Sequence, residues 1–289
     1  FQPSVVLLAG RAVIPPRVIT RTRERKMRSR LSCGGLAVIP ALLLLGACGT
    51  ELGAPSEEDQ QINLDVATYA ADATADDIVL MTTEADVTLH PNFHNQDGCT
   101  RVGLFRVRCP QRHFGDDINF TREVTFYDEN LEEMEFFHRD STEAVNILVN
   151  FEGSRTRENV EITINRQRDM TVSNLLGVET ERIWNGSGSS DVERIRHSDE
   201  FSDRVYDFSA TSDVDSVIIA VPREGTWPLS GTITREVTVE VVGGIQDDRT
   251  RSRTVVIEFN GTQFATITIN GETFIFDLET RTVVRDEEG

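Results

Sequence analysis

From Phe120 to the C-terminus, apolar and polar residues alternate in short runs separated by turn-forming residues, the period-two signature of half-buried strands. Residues 121–126 and 131–137 flank Tyr127-Asp128-Glu129-Asn130 and predict a hairpin. Val160, Ile162 and Ile164 alternate with Glu161, Thr163 and Asn165, and the pattern resumes at Met170 and Val172. Arg166 and Arg168 fall on the apolar side between them, so the stretch predicts either one long strand that leaves the core midway or two strands meeting at 166–169. The long strand is the preferred reading. Asn185-Gly186-Ser187-Gly188-Ser189-Ser190-Asp191 has the composition of a loop. Further strands are predicted at 204–208, 217–221 and 232–241, with Ile233, Val237, Val239 and Val241 sharing a face of the last.

Near the C-terminus, 254–259, 263–269 and 273–278 are separated by Asn260-Gly261 and Asn270-Gly271, residues that tolerate the positive φ of two-residue hairpin turns. Such turns set Ile267 opposite Phe274, Ala265 opposite both Val256 and Phe276, and Gln263 opposite Leu278. Val256, Ala265, Ile267, Ile269, Phe274, Phe276 and Leu278 then share one face. The other face carries Thr266, Thr268, Thr273 and Asp277 together with Ile257, Phe259 and Phe264, so one end of it is expected to be covered.

Upstream, the Ala-rich stretch 66–81 places Val66, Ala70, Ala73, Leu80 and Met81 near helical spacing, interrupted by Asp76 and Asp77. A helix is expected there, packed on a sheet or crossing its edge. Pro91, Gly98, Pro110 and Gly115 break any regular element over most of 88–118, where only 102–107, between Cys99 and Cys109, reads as a short strand or hairpin arm. The fold class that follows is mainly β, an antiparallel meander of roughly eight to eleven strands forming a sandwich or strongly curved sheet, with one N-terminal helix.

Before this domain lies a different pattern. Met27-Arg28-Ser29-Arg30 is basic, residues 36–45 are apolar, and the run is about half the roughly 20 residues a membrane-spanning helix needs. It ends in Leu45-Gly46-Ala47-Cys48. This segment resembles a bacterial lipoprotein leader, whose cleavage motif is a Leu, two small residues and a Cys. The resemblance implies that 27–47 are a signal peptide and that Cys48 becomes the first residue and carries acyl chains. With Gly49 following the Cys, it also implies the outer membrane. A secreted protein cut near Ala47 is the alternative. Residues 1–26 precede Met27 and are read as lying outside the native protein, an unusually long basic leader being the other reading. Residues 48–61 hold almost nothing to bury and are expected to form a flexible tether, with 62–289 a single β-rich domain.

Without residues 1–47 the chain keeps 21 basic and 47 acidic residues, a formal charge of −26. Such a charge argues against nucleic acid as a partner and leaves the membrane, reached through the lipid, as the expected one. Lys26 is the only lysine, so lysine-based catalysis is excluded from the remainder. Cys99 and Cys109 are left to pair, and in an oxidising envelope compartment a disulfide is expected.

His90, His94, Cys99, Cys109 and His113 are the best metal candidates, but Pro91 keeps the first two from sharing a helical face, and a disulfide removes both thiolates. Neither a metal nor a cofactor is expected. Asp76-Asp77, Asp116-Asp117, Asp213 to Asp215 and Asp247-Asp248 form no calcium loop. The serines around Gly186 lack the nucleophile elbow. Trp184 and Trp227 are expected in the core. The sequence therefore predicts a lipid-anchored envelope protein that binds or builds rather than catalyses. The alternatives are a lipid or lipoprotein carrier with a half-barrel cavity and a carboxylate-based hydrolase.

Overall fold

The computed structural model describes residues 57–89, 98–114, 118–157, 160–196, 204–221, 227–243 and 248–286. Among these, thirteen strands form one antiparallel sheet: β1 Thr100–Val102, β2 Arg106–Phe114, β3 Ile118–Tyr127, β4 Glu133–Met134, β5 Ala144–Arg157, β6 Val160–Ser173, β7 Glu181–Arg196, β8 Arg204–Ala220, β9 Ser230–Gly243, β10 Arg249–Glu258, β11 Phe264–Ile269, β12 Glu272–Asp277 and β13 Thr282–Arg285. Each strand pairs with its neighbour in sequence, except that β5 replaces the two-residue β4 as the main partner of β3. The expected antiparallel meander with one N-terminal helical segment is thus observed, with more strands than predicted because polar stretches also pair.

Several of those stretches depart from expectation. Residues 185–191 are not a loop but lie within β7. Residues 204–208 and 217–220 belong to one strand, β8, whose alternation runs through Ser212 and Val214. Residues 106–114 form β2, which takes in the end of the short strand or hairpin arm expected at 102–107 and continues through 108–114, read as irregular. The Asn270-Gly271 turn gives the predicted register, Ile267 opposite Phe274 and Ala265 opposite Phe276. The Asn260-Gly261 connection does not. It spans five residues, and Val256 pairs with Thr268 instead of Ala265. An odd shift turns the strand over, so Val255 and Ile257 are buried and Val256 faces the other side. Its cause is the segment before β9: the Phe259 and Gly261 amides donate to the carbonyls of Gly231 and Pro228, which draws the chain away from a tight turn.

The helical segment comprises α1 (Glu57–Val79), a π-turn (Leu80–Glu84) and α2 (Ala85–Thr88). It starts earlier than predicted, so 57–61, assigned by sequence to the tether, are helical. The irregularity lies at the π-turn and not at Asp76-Asp77. Most of α1 is buried around its circumference, including Ile62, Val66, Ala67, Tyr69, Ala70, Ala71, Ala73 and Ile78. A helix covered on nearly all sides is embedded rather than laid on a surface.

The sheet must therefore wrap around it. Asp76 bonds Arg166 on β6 at 2.7 Å and pairs with Arg281, beside β13, at 3.4 Å. In a flat sheet those strands, seven spacings apart, stand about 34 Å from each other, given roughly 4.8 Å per strand. No two arginine side chains span that, so of the two predicted arrangements the strongly curved sheet is formed, with the helix in its concave face.

Candidate functional site

The inner face of the sheet is the most unusual feature of the molecule. Its strands contribute apolar side chains at alternate positions, as the pattern requires, but five of those positions hold buried arginines: Arg122, Arg166, Arg168, Arg182 and Arg235. A buried guanidinium is costly unless paired and hydrogen-bonded. The helix provides the partners, for α1 carries seven acids and no basic residue.

Asp77, 2 % exposed, lies at the centre. One oxygen accepts from Arg168 Nε at 2.6 Å and the other from Arg235 Nη2 at 2.5 Å, joining β6 to β9 through the helix. Arg235 also donates to Thr74 Oγ1. Further along, Arg182 binds Asp86 and Glu179, each at 2.7 Å, and Arg122 donates to Thr88 Oγ1 at 2.9 Å. At the helix start, Arg253 holds Asn63 and Asp59, and Arg285 reaches Gln60. Charge and hydrogen bonding thus grip the helix along its length.

Burial alone would raise the Asp77 pKa, but Arg168 and Arg235 lower it from 3.8 to about 2. The carboxylate stays ionised. Burial, together with the neighbouring guanidiniums of Arg235 and Arg166, pulls Arg168 below its ordinary value against the attraction of Asp77. For Arg166, Asp76 and Asp77 outweigh burial and raise it.

Glycine makes room for this arrangement. A Cβ on Gly188 would stand 2.6 Å from the Gln167 carbonyl and 2.7 Å from Arg168 Cδ. A side chain there would occupy the space through which Arg168 runs toward Asp77 and the Ser189 carbonyl. The glycine-rich run in β7 is therefore a channel floor for β6 side chains, and the serine beyond it, Ser190, meets the Tyr69 hydroxyl at 2.5 Å. The Tyr69 ring stacks on Phe208 with centroids 4.6 Å apart.

Sequence reasoning found Arg166 and Arg168 on the apolar side of β6 but expected the strand to leave the core there. It stays in the core because the partners come from the helix about 90 residues earlier. Arg122, Arg182 and Arg235 were missed. An all-acid, alanine-rich helix and arginines in apolar strand positions are the matching signals.

The remaining sequence-derived sites are placed as follows. Cys99 and Cys109 form a disulfide across β1 and β2. Cys48, His90 and His94 lie outside the described residues, and of His113 only the strand position in β2 is described. Asp76 and Asp77 are ion-paired to arginine, and Asp248 accepts from the Gly243 amide. Among the described residues no three His, Cys, Asp or Glu side chains converge on a metal position. Trp184 is fully buried in β7 and Trp227 packs against the core.

Among the described residues, two pockets border the helix. One of about 220 Å³ lies at the π-turn, against Met81, Thr82, Asp86 and Arg182. The other, of about 230 Å³, lies between Asp65 and Thr68 of α1 and Arg194, Tyr206 and Phe208 of the sheet. Both fall short of the roughly 300–1,000 Å³ typical of ligand sites. Burial raises the pKa of Asp65 and of Asp72, but Asp72 does not line that pocket, so the two carboxyls do not converge there. No described helix is long and apolar enough to cross a membrane. No protein-family model, curated protein or solved structure matches the chain.

Proposed function

We propose that this chain is a lipid-anchored protein of the bacterial outer membrane whose β-rich domain works by binding or as a structural part rather than by catalysis. One observation carries the reading: the concave face that a carrier would keep open is occupied by the chain's own helix, fixed there by Asp77 between Arg168 and Arg235. Among the described residues, the two pockets beside it, of about 220 and 230 Å³, are smaller than the usual ligand range. The anchor rests on the leader motif ending at Cys48.

The test is expression from Met27 in a Gram-negative host fed an alkyne-bearing fatty acid. The chain takes up the label and sediments with outer membranes, and Cys48→Ser loses both. Label retained by Cys48→Ser, or never acquired, would remove the anchor. Organic extraction of the purified protein yields no stoichiometric lipid. One lipid per chain would favour the carrier instead.

A further inference from the structure

Asp77 leaves the two guanidiniums it bridges only partly satisfied. Strand register sets Arg168, Gly188, Ser212 and Arg235 opposite one another in a single row across β6, β7, β8 and β9. Arg168 is 0 %, Ser212 7 % and Arg235 1 % exposed, so all three side chains are more than nine-tenths buried. Yet Arg168 Nη2, Ser212 Oγ and Arg235 Nε have no hydrogen-bond partner among the described residues. Such groups in a folded core call for an explanation, because each carries a desolvation cost that no bond offsets.

The three groups are neighbours. Arg168 Nε and Arg235 Nη2 bond opposite oxygens of one carboxylate, at 2.6 and 2.5 Å. The Arg168 side chain crosses Gly188, since its Cδ and Nη1 each lie 2.7 Å from where a Cβ would stand. Ser212 is directly opposite Gly188 on one side and Arg235 on the other, with Cα atoms about 4.5–5.5 Å apart in each pair. The two guanidiniums therefore approach Ser212 from either side, under Asp77.

Two imbalances set the chemistry of what fits there. The first is in hydrogen bonding. Among the described residues, the unmatched buried side-chain atoms of β6 to β9 are Arg166 Nε, Arg168 Nη2, Trp184 Nε1, Ser212 Oγ and Arg235 Nε, and every nitrogen among them only donates. A water accepts such bonds but brings two protons that need acceptors of their own. The second imbalance is in charge. Arg166, Arg168 and Arg235 bring three positive charges against two negative ones from Asp76 and Asp77, and Asp76, 41 % exposed, is shared with Arg281. Asp72, one turn before Asp76, interacts with Arg194 more than with Arg166. An uncompensated buried guanidinium is costly. We infer that the row binds one small monovalent anion, chloride in ordinary solution, held by Arg168 Nη2, Ser212 Oγ and Arg235 Nε. A spherical ion accepts from all three and cancels the single excess charge, whereas a divalent oxyanion would reverse it. Bound there, it ties β6, β8 and β9 together under α1, with or without the lipid anchor.

Urea unfolding of the full chain tests this at constant ionic strength, with sodium chloride replacing sodium gluconate. Binding to the folded state alone lowers the unfolding constant about tenfold for each tenfold rise in chloride above the dissociation constant. Ser212→Asp supplies a tethered carboxylate in place of the ion and abolishes that response. Ser212→Ala, which removes one donor to a charged acceptor, weakens chloride binding about tenfold. Thr211→Asp, exposed on the other face of β8, keeps the full response and controls for the added charge. Crystals of the parent grown from bromide show an anomalous peak in contact with Arg168, Ser212 and Arg235, a readout that needs no variant to fold. Unfolding that does not distinguish chloride from gluconate, a water and no bromide peak at that position, or an undiminished chloride response in Ser212→Asp would overturn the inference.

Discussion

Beneath the second half of α1 the central strands β6 to β9 and the C-terminal strands β10 to β12 line the same concave face with opposite chemistry, whereas at the helix start Arg253 of β10 also holds Asn63 and Asp59. Under that second half, Arg166, Arg168 and Arg235 project at positions where Ile257, Ile267, Phe274 and Phe276 stand in the C-terminal strands. Apolar burial is roughly proportional to area and has no direction. It holds a helix down without fixing its rotation or depth. The Asp77 carboxylate, bridging guanidiniums three strands apart, fixes both. The apolar strands thus supply most of the adhesion, and the arginine strands supply the position.

Asp77→Ala breaks this comparison most severely. It strands two guanidiniums in the core, and a cost of about 3–5 kcal/mol is expected in urea unfolding. The sharper variant combines Asp77→Leu with Arg168→Met and Arg235→Met, converting the centre to the chemistry of β10 to β12. Its stability should return to within about 2 kcal/mol of the parent. Hydrogen exchange in α1 should nevertheless stay faster than in the parent, because adhesion has been restored and position has not. Equal protection of α1 in both proteins would mean that apolar packing alone sets the helix.

Acid provides the same break without mutation. The folded-state pKa of Asp77, about 2, lies below its ordinary 3.8, so its contribution is complete above about pH 4 and is lost as pH falls through 2. Linkage puts the loss at about 2 kcal/mol. Asp65 and Asp72 act in reverse: their raised pKa values mean that their burial cost disappears on protonation and offsets part of the fall. Urea midpoints measured from pH 6 to pH 2 should decline for the parent, and the decline should be shallower in Asp77→Asn.

Gly188→Ala attacks the channel rather than the charges. The added Cβ meets backbone at 2.6 Å, so strands must shift, at a cost of about 1–3 kcal/mol. Ser189→Ala, one residue on and exposed, should stay within about 0.5 kcal/mol. Equal midpoints for the two variants would refute the account of β7.

These elements also show what could be read in the chain. Val237, Val239 and Val241 announced the buried face of β9 because alternation is local, and the β11–β12 register followed from a turn of two residues. Arg235 sits on that same face, yet its partner lies 158 residues away, and no local window contains both. Gly186 and Gly188 looked like a loop because glycine's usual meaning is a turn. Their meaning here is set by Met170 and Arg168 on the adjoining strand. Tertiary pairing gave polar residues core positions, and local pattern does not carry that information.

The smallest test concerns two identical dipeptides within the apolar strands. In Asn270-Gly271 both residues have positive φ, 51° and 85°, the conformation of a type I′ turn. In Asn260-Gly261 only the glycine does, at 78°, while the Asn260 side chain accepts from the amide and hydroxyl of Thr262. Asn270→Ala should therefore cost about 1 kcal/mol through backbone strain, and Asn270→Gly should recover most of it. Asn260→Ala should cost a similar amount through the lost hydrogen bonds, but Asn260→Gly should recover nothing, since no positive φ is relieved. A thermal-melt series of these four variants separates the two mechanisms by the glycine response alone. If Asn260→Gly were rescued as fully as Asn270→Gly, the first connection would be the two-residue turn that its sequence suggests, and Val256 rather than Val255 would face the core.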